Sequence, residues 1–227
     1  MSKLKQPSRH LKTHVMLKGV YVHDVNNLYI RGDLQCGKGV EIDVNVIIEG
    51  NVKLGDGVKI GAHSILRNAT IGDNTVVHPF SMVEDAMIGA NTFVGPFGRV
   101  RPGSTIGDHV QIGNFVEIKN SDIGPRSRIN HLAFLGDATL EENVTIGAGC
   151  ITCNHNGSGA VNTQIKAGAY IGSGCLLVAP LSIGKDATIG AGSTITQDAP
   201  SGKLTIARSR QVTVTNWTRS RMGRVKK

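Results

Sequence analysis

The sequence predicts an all-β fold, a parallel β-helix wound from six-residue rungs. Three observations carry that prediction. Glycine is abundant, at 29 of 227 residues, about 13% against a usual ~7%, while aromatics are only 4%. An aliphatic residue recurs every six positions over about 30–198, often followed by glycine. Four positions past that aliphatic sits a small or β-branched residue. So much glycine would destabilise helix interiors, and it does not fall at every third residue as collagen requires. Apolar residues do not recur at i, i+3 and i+4, which excludes amphipathic helices. The period is too short and regular for a sandwich.

The rungs can be followed along the chain. Leu54-Gly55 leads to Ile60-Gly61, and Ile88-Gly89 leads to Val94-Gly95, Val100, Ile106-Gly107 and Ile112-Gly113. Ile165, Ile171-Gly172, Leu177, Ile183-Gly184, Ile189-Gly190 and Ile195 continue the beat. The small or β-branched followers include Val58, Ser64, Thr92, Val110, Cys150, Cys175 and Ser193. Five-residue units, such as Ile118 to Asp122, interrupt the pattern without ending it. Short strands place alternate side chains inside and outside. A tight corner at every rung favours a residue without a Cβ. One rung cannot bury its own aliphatic, but stacked coils bury a continuous column.

One segment breaks the beat. From Thr152 to Gln164 the chain reads T-C-N-H-N-G-S-G-A-V-N-T-Q, rich in glycine and asparagine. This predicts an extruded loop over 153–163, and loops projected from a rigid scaffold are favoured places for function.

The net charge of +8 belongs to the ends. A leader over 1–16 holds four basic and no acidic side chains, and a tail over 201–227 holds eight and none. The body, 17–200, carries the other 13 basic and all 17 acidic side chains. No aromatics interleave with the basic residues to stack bases, so nucleic acid is not the expected partner. The leader lacks the apolar stretch of a signal peptide, and no apolar run approaches the ~18 residues of a membrane-spanning helix. The last residues, Met222 to Lys227, show no structural signal. The expectation is a cytoplasmic protein with reduced thiols. Of its cysteines, Cys36, Cys150 and Cys175 fall at inward positions, where Cys acts as a small hydrophobe. Cys150 and Cys153 form a lone C-x-x-C without the second pair or histidine spacing of a zinc site. His63, His78, His109 and His131 offer no close His-x4-His pair, so no metal is expected.

Several segments are more specific than the repeat. They are Arg101-Pro102-Gly103, the run His109 to Lys119, His131-Leu132-Ala133-Phe134-Leu135-Gly136-Asp137, Ile146 to Asn154, and Ile206-Ala207-Arg208 ahead of Trp217. On these the chain, from about 16 to 217, resembles the hexapeptide-repeat acyltransferases. Together these segments look like the acetyltransferase half of the bifunctional N-acetylglucosamine-1-phosphate uridyltransferase/glucosamine-1-phosphate acetyltransferases. The resemblance implies a left-handed triangular helix with three rungs per turn, hence roughly nine or ten coils over the repeat. It implies a homotrimer with sites between neighbouring prisms, and acetyl-CoA as co-substrate. It does not extend to the nucleotidyltransferase half, so uridyl transfer is not expected.

The resemblance also implies roles. His131 stands where the family has its general base, and imidazole is suited to taking a proton near neutral pH. His109 is expected to support it. Arg101 and Lys119 match positions that grip a sugar phosphate, the one by a guanidinium fork and the other by a point charge. They are 18 residues apart, one coil, which would stack them on one face. Glu117 is expected to accept from a sugar hydroxyl or to orient the histidine. Asn154, Ser173, Ala191 and Arg208 match acetyl-CoA positions, with Arg208 and the basic tail meeting the nucleotide's phosphates.

The substrate side departs from the family. Phe134 replaces a tyrosine, Thr145 an asparagine near the sugar, His155 and Asn156 a tyrosine and an aspartate, and Ala160 a lysine. Each lost contact to a charged ligand costs ~1.5–3 kcal/mol if unreplaced, so two or three would weaken glucosamine-1-phosphate a thousandfold or more by the same scale. The expected function is therefore acetyl transfer from acetyl-CoA to an amino sugar, phosphorylated or nucleotide-linked, by direct attack. Its rivals are glucosamine-1-phosphate acetylation proper, transfer of a longer acyl chain or to another acceptor, and a non-catalytic sugar-nucleotide-binding scaffold.

Overall fold

The computed structural model describes residues 19–218. The leader over 1–16 and the end of the tail, Met222 to Lys227 included, lie outside the described residues. Each coil gives one short strand to each of three faces, and every ladder between strands is parallel. Face A stacks eleven strands, from Tyr21–Val22 through Glu41–Ile42 and Gln111–Ile112 to Leu204–Thr205. Faces B and C share a 17-stranded sheet. They are joined because Tyr29–Cys36 and Ile47–Leu54 run unbroken across the corner between them. The chain is a left-handed parallel β-helix of about ten turns. Its strands begin before residue 30 and end at Thr205, inside the segment read from sequence as tail.

The register follows from the repeat. On face A, Ile42 pairs Ile60, Val94 pairs Ile112, and Ile112 pairs Ile129. On face B, Val100 pairs Ile118 and Ile118 pairs Leu135; on face C, Ile106 pairs Ile123. Most partners are 17 or 18 residues apart, according to whether the coil contains a five-residue rung. The large exceptions span the loop: Leu140 pairs Ile165, Ile146 pairs Ile171 and Thr152 pairs Leu177. The end coils differ slightly, Tyr21 pairing Glu41 and Thr188 pairing Leu204. Each two-residue strand of face A from Lys59 to Ile146 buries its second residue, so the inward residues of all three faces make one aliphatic column.

Cys150 and Cys175 lie in that column, fully buried. Burial pushes the Cys150 thiol up to about 11, consistent with an inert hydrophobe. Cys36 is only half-buried against the core. Its strand pairs the coil above, through Cys36 opposite Leu54, and among the described residues no strand pairs it from below. The outer surface of face B carries an alternating charge ladder. Glu49 bonds Arg31 at 2.9 Å and Arg67 at 2.6 Å, and Arg67 also bonds Glu84 at 3.0 Å. The Arg67 guanidinium holds the Glu49 carboxyl below its ordinary range against the opposing effect of burial.

Candidate active site

The edge between faces A and B carries the imidazole. His131 follows the inward Ile129 and precedes the face B strand Phe134–Gly136. It sits at a left-handed corner, φ +49°, with its side chain exposed. Backbone bonds tie this edge together coil by coil. The Leu132 N–H donates to Asn114 O, Gly149 to His131 O, Gly174 to Ala148 O, and Gly192 to Ser173 O, all within 2.8–3.1 Å. Asn114, His131, Ala148, Ser173 and Ala191 therefore form one vertical file. At about 4.8 Å per coil, Ser173 stands roughly 10 Å above His131 and Ala191 roughly 14 Å above it. Arg208 closes the file at the top, its guanidinium donating to Ala191 O at 3.0 Å.

The His131 ring bonds through Nδ1 to the side-chain oxygen of Asn114, one coil below. An amide oxygen can only accept, so Nδ1 carries the proton in this contact, and a neutral ring then has its lone pair on Nε2. Gly113 makes the approach possible, because a Cβ there would stand 3.0 Å from His131 N and 3.4 Å from Nδ1. Glu117 was expected to accept from a sugar hydroxyl or to orient the histidine; within this chain it accepts from Arg101 Nη1 at 2.7 Å, and the contact to the ring is made by Asn114. Counting two residues past the inward aliphatics Ile112 and Ile129 would have found Asn114 beneath His131.

The next file on the same edge changes character at His131. Below it stand His63, Phe80, Phe97 and Phe115, stacked ring on ring with centroids 4.8, 5.1 and 5.0 Å apart, and then Leu132. The three Phe rings and Leu132 remain 45–64% exposed. Above, the equivalent positions are Gly149, Gly174 and Gly192, with φ of +71°, +69° and +71°. A Cβ on Gly192 would meet nothing within 4 Å, and on Gly149 or Gly174 only the next glycine's backbone, at 3.9–4.0 Å. The edge above the imidazole is thus a strip of bare backbone.

A second group lies on face B. Arg101 and Lys119 stack as expected, the Arg101 N–H donating to Ile118 O at 2.8 Å. Lys119 pairs Gly136 in the next coil. Gly136 leaves room for two neighbours, since a Cβ there would fall 2.8 Å from the Phe134 ring and 2.6 Å from the Asn154 amide. Phe134, Lys119 and Asn154 therefore converge on Gly136, with Arg101 and Glu117 beside and below them.

Three expected residues fall away from His131 within one chain. Asn154 lies at the edge between faces B and C, across face B from His131, up to about 20 Å away for six extended residues. Thr145 is on face A, paired with Arg128 and Tyr170. His109 is at the edge between faces C and A, its N–H bonded to Ala90 O, and so stands apart from His131. The described residues contain no group of three or more His, Cys, Asp and Glu able to hold a metal. They also contain no helix long and apolar enough to cross a membrane.

Family profiles fit the six-residue winding. Residues 162–197 match the bacterial transferase hexapeptide (six repeats), and residues 30–134 match the GMPPB C-terminal domain. The chain thus carries hexapeptide transferase repeats. It is 50% identical over 211 residues to the bifunctional protein GlmU of Ralstonia pickettii, covering 93% of this chain and 46% of that protein. It is 48% identical to GlmU of Aromatoleum aromaticum over the same shares. The chain spans about half the length of these relatives. In fold it resembles the Arabidopsis UDP-N-acetylglucosamine acyltransferase, with TM-score 0.54 and 19% identity over 82% of this chain and 69% of that one.

Proposed function

We propose that the protein is an acetyl-CoA-dependent N-acetyltransferase of an amino sugar, phosphorylated or nucleotide-linked, and that it works as a homotrimer. The file on the A/B edge carries this reading. It sets an outward Nε2 lone pair at the foot of an unobstructed strip capped by an arginine. The strip is slender and lined by peptide groups, which suits a pantetheine arm. Arg208 suits the phosphates beyond it. His131 Nε2 takes a proton from the amine as its nitrogen attacks the thioester carbonyl. The C–N bond forms, the C–S bond breaks, and the imidazolium returns the proton to the departing thiolate. Asn114 supports the imidazolium by keeping Nδ1–H bonded throughout. Arg101 and Lys119 supply the positive charge for a phosphate on the acceptor.

The distribution of residues supports a composite site. Asn154 stands on the far edge of face B and Thr145 on face A, so neither lies beside His131 in a single prism. Copies that set one chain's A/B edge against another's faces would unite them. The exposed Phe80, Phe97, Phe115 and Leu132 give that seam an apolar centre, and the charge ladder of face B gives it a polar rim.

A second acceptor reading, glucosamine-1-phosphate itself, draws support from the 50% identity to GlmU. Thiol release from acetyl-CoA across a panel of amino sugars separates the two. Failure of every amino sugar to release thiol, with acetyl-CoA giving no thermal stabilisation, would overturn the enzymatic reading in favour of a binding scaffold.

A further inference from the structure

The loop over 153–163 leaves face B at Cys153 and returns to face C at Thr163. Within itself it is a small hairpin. The Val161 N–H donates to Asn154 O at 2.7 Å, and His155 bridges Ala160. Asn156 accepts from Ser158 and Gly159. These bonds shape the tip but do not attach it to the prism.

Ala179 N–H donates to Cys153 O at 3.2 Å and the Asn162 amide lies 3.4 Å from Thr139 Oγ1, but most of the attachment runs through one residue. Asp137 lies one coil below Asn154 at a left-handed corner, φ +49°, and is 8% exposed. One carboxylate oxygen accepts from the Asn120 side-chain amide at 2.5 Å, and the other accepts from the Asn154 amide above. Its backbone carbonyl accepts from Thr163 N–H at 3.1 Å and from the Asn162 side chain at 2.9 Å. Asp137 thus holds both the departing and the returning strand of the loop. The equivalent carboxylate lower on this edge, Asp85, accepts from Asn68 below but has Gly103 above it, and is exposed. Burial works against the charged form of Asp137. The amides of Asn120 and Asn154, with the charge of Lys119, outweigh that and hold its pKa below the ordinary value.

We propose that Asp137 is a positioning residue: it latches the 153–163 loop to the prism and aims the Asn154 amide. This rests on the reading of Asn154 as an acetyl-CoA contact only for its kinetic consequence. A carboxylate can accept from both amides at once. An asparagine in its place presents one oxygen to one of them and a second N–H to the other, leaving donor facing donor.

The test is hydrogen exchange of the loop amides, with Val161 and Thr163 as reporters, in the full chain, alongside kcat and KM for acetyl-CoA. Asp137→Asn should speed loop exchange about tenfold to a hundredfold, the worth of one bond to a charged group. It should raise KM by a similar factor and leave kcat within about threefold. Combining D137N with N154D reverses the pair and should return loop exchange to the native rate without restoring KM. Should D137N fold poorly, Asn154→Ala breaks the same bond from the loop side and should also speed exchange. Native exchange rates in D137N or in N154A would overturn the latch. A loosened loop with unchanged KM would uphold the latch and overturn the acetyl-CoA role of Asn154.

Discussion

A phenylalanine placed in the glycine strip, Gly174→Phe, tests the donor site without threatening the fold. Gly174 has φ +69°, and a Cβ there would meet only Gly192 Cα, at 4.0 Å. The protein already carries phenylalanine at this corner position in three lower coils, Phe80, Phe97 and Phe115, at φ of +60°, +56° and +56°. The left-handed conformation costs an L-residue about 1–2 kcal/mol. For a domain of this size that lowers Tm by roughly 2–8 °C. The ring would cover at least one coil spacing of about 4.8 Å, two coils above His131, and close the strip. In wild type, acetyl-CoA at 100 times Kd adds about 2.7 kcal/mol, or roughly 5–10 °C. The variant should lose that shift, and its KM for acetyl-CoA should rise on the order of a hundredfold, about 2.8 kcal/mol. Gly39→Phe is the control. It has φ +67° and open space, but sits on the C/A edge, and it should keep the full shift. A folded G174F that is stabilised by acetyl-CoA as wild type is would refute the strip as the donor site.

Four further outcomes follow from named contacts. His131→Ala should lower kcat by about 10²–10⁴ while the acetyl-CoA thermal shift stays intact; normal turnover would remove the imidazole from the mechanism. Asn114→Ala should cut kcat by roughly tenfold with little change in KM and alter the pH–rate profile, because the ring loses the acceptor that holds its tautomer; an unchanged profile would show that the contact does not orient the base. Asp137 has a lowered folded-state pKa, so its contribution is present above the unfolded aspartate value of about 3.9 and lost as pH falls through the folded one. The difference in loop exchange between wild type and D137N should therefore persist at pH 5 and vanish only well below pH 4; loss by pH 5 would contradict it. Ile129→Ala, at a fully buried position two residues before His131, should cost about 2–5 kcal/mol in denaturant unfolding, and a cost below 1 kcal/mol would mean that the column there is not close-packed.

The solenoid was legible because its rule is local. Whether Ile112 or Ile129 points inward depends only on its place within six residues, and the strand ladders repeat that choice in every coil. The extruded loop was equally plain, since T-C-N-H-N-G-S-G drops the aliphatic beat. The chemistry was less so. Glu117 could be given either a sugar hydroxyl or the ring of His131; the carboxylate turns to Arg101, and the short amide of Asn114 takes the ring. Asp137 stood in a quoted motif without a role, because a carboxylate that binds two amides leaves no pattern in one dimension.

The amino-acid order alone determined the winding and the inward column, set by neighbours within a rung, while a resemblance of motifs singled out His131 as the proposed base. Which edge a residue reaches depends instead on phase accumulated along the chain. Each five-residue rung, and the long detour before Ile171, shifts that phase, and only the closed parallel register resolves it. That register put His131, Ser173, Ala191 and Arg208 in one file, sent Asn154 to the opposite side of face B, and stranded His109 on the third edge. Hydrogen bonding between coils, summed over about ten turns, made those placements and so decided what the imidazole faces.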